Sequence, residues 1–135
     1  MIKMITELLK KYLTEEEVAK ANMWANATVN YFDSNIMPRP TILKVRNIVL
    51  LYPLIMKNVS YLEMKDYISA EDYAAMACRL TFNDDKKWHS FCMTAASVPS
   101  FLAFTGIRMC EIEEEMYWKN RLKKLWNKIK KGLGF

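Results

Sequence analysis

SFCMTAASVPSFLAFTGI, residues Ser90 to Ile107, runs 18 residues without a charged side chain. Its reading decides between a membrane span and the interior of a helical bundle. About 20 predominantly apolar residues are needed to cross a bilayer. Here Thr94, Ser97, Ser100 and Thr105 dilute the hydropathy, Pro99 interrupts the run and Gly106 stands at its end. The central helices of a soluble bundle explain such a stretch better than a span does. The composition agrees. Three Gly and 4 Pro, set against abundant Ala, Met, Leu, Lys and Glu in a chain that is 52% apolar, predict helices joined by short turns rather than sheet. At 135 residues the chain suits one compact, all-α domain, a bundle of about six helices.

Working outward toward the N-terminus, Asn83, Asp84 and Asp85 open a helix, with acids at the positive end of its dipole. Ser69 with Asp72, and Ser60 with Glu63, are cap-like pairs that predict helices near 70–82 and 61–67. Ile42, Val45, Val49 and Tyr52 repeat at helical spacing after a possible Thr41 cap, and the helix they predict is broken or kinked at Pro53. The loop Asp33 to Pro40 carries Asp-Ser-Asn and Pro-Arg-Pro. Before it, Thr14 and Glu17 form a capping box for a helix with two apolar stripes: Val18, Ala21, Ala25, Thr28 and Phe32, and Trp24, Ala27 and Tyr31. Its polar row, Asn22, Asn26 and Asn30, reads as a solvated face. Ile2, Ile5, Leu8, Leu9, Tyr12 and Leu13 give the first helix one apolar side.

Toward the C-terminus the charge changes character. Residues 119–135 hold seven cations, Lys119, Arg121, Lys123, Lys124, Lys128, Lys130 and Lys131, and no acid, whereas the preceding 118 residues hold 13 Lys and Arg against 15 Asp and Glu. At about 100° per residue, Trp118, Leu122, Leu125, Trp126, Ile129 and Leu133 fall within an arc of roughly 100°, with the cations around the remainder. Residues 1–118 therefore read as the bundle, and 119–135 as a basic amphipathic helix that belongs to the same domain or docks on a partner. Met109, Ile112 and Met116 lie opposite the tail stripe, so one straight helix would have to bury opposite faces. Three arrangements follow: a bend near Tyr117 and Trp118, a second half packed on a partner, or a tail folded back onto its own bundle.

Several chemistries are excluded or unsupported. Of the three glycines only Gly106 lies in the body of the chain, so neither a P-loop nor a dinucleotide fingerprint is present. The single histidine, His89, cannot supply paired Glu-x-x-His motifs for a di-iron bundle. With Cys78, Cys92 and Cys110 it matches no usual zinc spacing, and core cysteines are the simpler reading. His89 beside Ser90 lacks a nucleophile elbow. The acidic runs Glu15 to Glu17 and Glu113 to Glu115 read as solvated faces. A helix-turn-helix over Ser60 to Leu80 fails because Glu71 and Asp72 would open its recognition helix. No metal, cofactor or catalytic residue is assigned.

Three cysteines cannot all pair within one chain, and Lys3, Glu7, Lys10 and Lys11 interrupt the N-terminus where a secretory signal needs an apolar core; both favour a reducing, cytoplasmic setting. Ten Met, with much Lys and Asn, is a composition that AT-rich phage and viral genomes encode, though Met also fills irregular cores and adaptable binding faces. The expected function is a small non-enzymatic binding protein, an adaptor or inhibitor. It would engage an acidic surface, nucleic acid or a protein, through Trp118, Lys119, Arg121, Leu122, Lys123, Lys124, Trp126, Lys128, Lys130 and Lys131. The competing class is a peripheral membrane-surface protein anchored by the same Trp/Lys helix. A homo-oligomer is a further partner arrangement.

Overall fold

A computed structural model describes residues 2–32, 37–82, 84–95 and 97–132, and their side chains apart from those of residues 2–4, 93 and 95. The expected loop residues 33–36, Asn83 as a helix start and Leu133 in the tail stripe lie outside these residues, as does the side chain of Ile2. The described chain is all-α: α1 (Ile2–Tyr12), α2 (Glu15–Phe32), α3 (Arg39–Met56), α4 (Tyr61–Met64), α5 (Ala70–Ala77), a 3-10 turn (Cys78–Thr81), α6 (Asp85–Ala95) and α7 (Val98–Gly132). Seven α-helices thus stand where about six are expected.

The core is organised around α3. Val45, Ile48, Val49, Leu50, Leu51, Leu54 and Ile55 are all buried, so this helix is apolar on more than one side and is enclosed by α1, α2, α5 and α7. That enclosure accounts for two departures from the sequence expectation. The helix starts at Arg39, not Thr41, with Pro40 in its first turn, where a missing N–H removes no intrahelical bond. It also runs unbroken through Pro53 to Met56. The proline forfeits one backbone bond, but Leu50, Leu51, Leu54 and Ile55 pack on both sides of it, and their burial outweighs the loss. The helix ends in a Schellman arrangement: Val59 N donates to Leu54 O at 3.0 Å, Asn58 N to Ile55 O at 3.0 Å, and Asn58 takes the left-handed backbone, φ 63°.

The predicted caps form. Thr14 N donates to Glu17 Oε1 at 3.0 Å and Glu17 N to Thr14 Oγ1 at 3.2 Å, closing the capping box that opens α2. Ser60 and Ser69 each accept a backbone N–H, from Leu62 and Asp72. The two helices they open are shorter than expected: α4 gives way to a turn over residues 65–67, where Tyr67 N and Ile68 N both donate to Met64 O, and α5 tightens into the 3-10 turn after Ala77. In α2 the small residues Ala21, Ala25 and Thr28 are buried and let α3 and α7 approach. Asn22 bonds back to Val18 O, while Asn26 and Asn30 face solvent as the polar-row reading expects. Among the described residues no helix is long and apolar enough to cross a membrane. The uncharged stretch instead divides between α6 and the first turns of α7, where Leu102, Ala103, Phe104 and Ile107 are core.

Candidate interaction helix

The 35-residue helix α7 is firmly rooted at its start. Ser97 Oγ accepts from Ser100 N at 3.3 Å and donates to Asp72 at 2.7 Å, and Ser100 Oγ also donates to Asp72. A buried carboxylate is thereby satisfied at the positive end of the helix dipole. A cavity of about 490 Å³ adjoins this point, lined in part by Lys44, Lys65 and Asp72. Further along, Phe104 meets buried Trp88 edge-on at 4.5 Å. Gly106 lies against the Thr28 side chain.

The next turn is held by charge. Glu111 pairs with Arg79 at 2.9 Å, and Arg79 also reaches Asp85 at 3.2 Å and stacks on Trp88 at 4.0 Å. Arg108 closes the network on Asp85 at 3.2 Å. Burial raises the Glu111 carboxyl above its ordinary range, and Arg79 opposes the rise. Glu113 accepts from Tyr31 OH, which pushes that hydroxyl up to about 12. Glu114 accepts from Trp24 Nε1 at 2.8 Å and pairs with Lys20 at 3.2 Å. Lys20 and Tyr31 lie about 16 Å apart along α2. Thr28 meets Gly106, Trp24 O meets Cys110 and Lys20 meets Glu114, steps of four in opposite directions, so α7 runs antiparallel along α2.

Glu113 and Glu115 are exposed, as the solvated-face reading expects, while Glu113 and the half-buried Glu114 are also tethered to α2. The side opposite the tail stripe is buried only at its start, by Leu102 at about 200° on the wheel: Ile112 and Met116 are 40% and 59% exposed, and the other large or apolar buried residues are Ala103, Phe104, Ile107 and Cys110. On the wheel used above, with Trp118 at zero, these fall at about 300°, 40°, 340° and 280°, next to or within the tail stripe. Wheel periodicity misled because Ala, Gly and Cys make a weak apolar signal, whereas Met and Ile on the open side make a strong one.

From Glu115 to Gly132, 18 consecutive residues, every position of α7 is exposed. The helix is continuous through Tyr117 and Trp118, so it does not break there, and its exposed tail does not fold back onto the bundle. This free part is about 27 Å long. Trp118, Leu122, Leu125, Trp126 and Ile129 are 43–62% exposed along one side. Lys119, Arg121, Lys123, Lys124, Lys128, Lys130 and Lys131 are all exposed around the rest. Arg121 lies over the Trp118 ring at 5.7 Å and donates to Tyr117 OH at 3.3 Å, and Lys130 lies over Trp126 at 5.6 Å. The structure therefore brings all ten predicted contact residues onto one unpartnered rod.

The other candidates are placed differently. Cys92 and Cys110 are buried, and burial pushes their thiols up to about 12 and about 11, the behaviour of core thiols. His89 lines a shallow groove with Ser90, Arg108 and Ile112. Among the described residues no cluster of three or more His, Cys, Asp or Glu is placed to hold a metal ion. A narrower groove of about 310 Å³ between α2 and α3 is lined by Trp24, Tyr52, Pro53 and Met56. Sequence reasoning missed the anchoring roles of Lys20, Trp24, Tyr31, Arg79 and Asp72, whose partners on α7 or at its start are 25 to 94 residues away and carry no local signature. No protein-family model, curated protein or solved structure matches the chain.

Proposed function

We propose that this is a small non-enzymatic binding protein, an adaptor or inhibitor, that engages an acidic macromolecular surface, nucleic acid or a nucleic-acid-associated protein, through the projecting half of α7. One observation carries the reading: seven cations and five large apolar side chains occupy a run of exposed helix that the bundle leaves uncovered. Monomeric proteins rarely leave a contiguous apolar surface uncovered without an interaction to use it. Seven cations without an acid fix the sign of the partner. The bundle acts as the mount, holding the rod by Arg79, Lys20, Trp24 and Tyr31.

The direct test is a titration of the full chain, and of a variant with Lys123, Lys124, Lys128 and Lys131 changed to Gln, against fluorescent single- and double-stranded oligonucleotides and an acidic protein across a salt series. Binding that weakens steeply with salt and is lost in the variant supports the reading. Indifference of every probe to the four changes removes it. A membrane-surface role is the second reading, favoured by Trp118 and Trp126 on one side of a Lys-rich helix, and vesicle flotation tests it.

A further inference from the structure

The apolar stripe overlaps the edge of the bundle-facing side of α7, the edge on which α6 and the 3-10 turn lie, and this selects among acidic partners. Phe104 and Glu111, at about 40° and 20° on the wheel, face Trp88 and Arg79, and the stripe occupies about 340° to 80°. A flat bilayer laid along Trp118 to Ile129 would run into α6 and the 3-10 turn before it covered the stripe. A second copy would bring seven more cations against the first seven, since the stripe and its flanks form one strip of positive charge. A nucleic-acid strand would satisfy the cations but leave Leu122, Leu125 and Ile129 without apolar cover.

The cations also stand in two rows. Lys119, Lys123 and Lys130 lie at about 100° to 140°, beyond one edge of the stripe, and Arg121, Lys124 and Lys128 at about 240° to 300°, beyond the other. The anchors Trp118, Leu122, Leu125 and Ile129 follow the spacing by which a helix fills a groove. We propose, on the basis of the reading above, that the occupant of this stripe is a protein groove with an apolar floor and acidic residues along both rims. The free 27 Å of helix, about five turns, is long enough to lie in such a groove while the bundle stays outside its end.

Calcium-loaded calmodulin is a suitable probe, because its Met-rich apolar grooves have acidic rims and close when calcium is removed. The full chain is titrated with it at about 0.15 M salt, following tryptophan emission, with and without chelator, beside a 20-residue oligothymidylate and vesicles containing about 30% phosphatidylserine. The expected result is calcium-dependent binding at low micromolar concentration or tighter. Trp126→Ala should weaken it about tenfold or more and Lys128→Ala about threefold or less. Trp126 is exposed, so its variant should keep the wild-type melting curve, which separates lost contact from lost fold.

No calcium-dependent binding at about 50 µM overturns the groove proposal. So does equal weakening by Trp126→Ala and Lys128→Ala, because charge alone would then be acting. If the oligonucleotide or the vesicles bind and calmodulin does not, the groove falls while an acidic partner stands. If none of the three binds, both readings fall.

Discussion

Gly106 shows how single positions set the geometry on which the rod depends. A methyl group there would come within 2.7 Å of Thr28 Cβ. Thr28 cannot turn aside, since it is β-branched, fully buried and donates to Trp24 O at 2.8 Å. Alanine would return about 1 kcal/mol of helix propensity, against about 1–3 kcal/mol for overpacking. Gly106→Ala should therefore lower stability by about 1 kcal/mol or more in urea unfolding, and on a Thr28→Ala background the loss should shrink without vanishing, because the Cβ that remains still lies 2.7 Å from the new methyl. Glu17 supplies a pH-dependent case. Its hydrogen bond from Lys57, then that from Thr14 N, holds its carboxyl down to about 2 from an ordinary 4.5. Because the folded-state value is depressed, the stability it contributes is complete above pH 4.5 and is lost as pH falls through about 2. Glu17→Gln should lower the urea midpoint at pH 6, and the difference from wild type should shrink below pH 4.5 and vanish near pH 2. A difference that stays constant across that range would remove the carboxylate from the account.

At the scale of elements, the end of α3 is the place where the chain departs from its own best choice. Asn58 occupies the left-handed cap position that glycine takes without strain. Asn58→Gly should raise stability by about 0.5–1 kcal/mol, read as a shift in urea midpoint with unchanged slope. Caps were the most legible features in the sequence. Thr14 with Glu17, Ser60 and Ser69 act through bonds two or three residues long, so local chemistry is enough to place them. Pro53 does not break the helix, the stronger of the two outcomes expected of it, for the converse reason. Its local preference is to break a helix, and the burial that overrides it comes from α1, α2, α5 and α7, which no window around residue 53 contains.

For the whole molecule, the division of α7 into a rooted and a free half predicts two outcomes. Backbone amides of residues 119–131 should exchange orders of magnitude faster than those of 102–110, because an exposed helix opens locally while a core helix opens only with the bundle. Comparable protection in both halves would mean that the tail is covered in solution. Changing Trp118 and Leu122 together to Gln should shift bundle stability by less than about 0.5 kcal/mol, since both side chains project beyond it. A large loss in a urea melt would place them against the core.

By itself the sequence determined the helical class, most of the helix starts and the amphipathic, cationic character of the last turns, because each follows from composition, period or a bond between near neighbours. Only the tertiary structure decided that α7 is one continuous helix, that Glu111, Glu113 and Glu114 are its anchors and that its stripe lies toward α6 and the 3-10 turn past the end of the bundle. Those outcomes rest on contacts between residues far apart in the chain, Arg79 with Glu111, Lys20 with Glu114 and Thr28 with Gly106, whose energies exist only once the helices have packed.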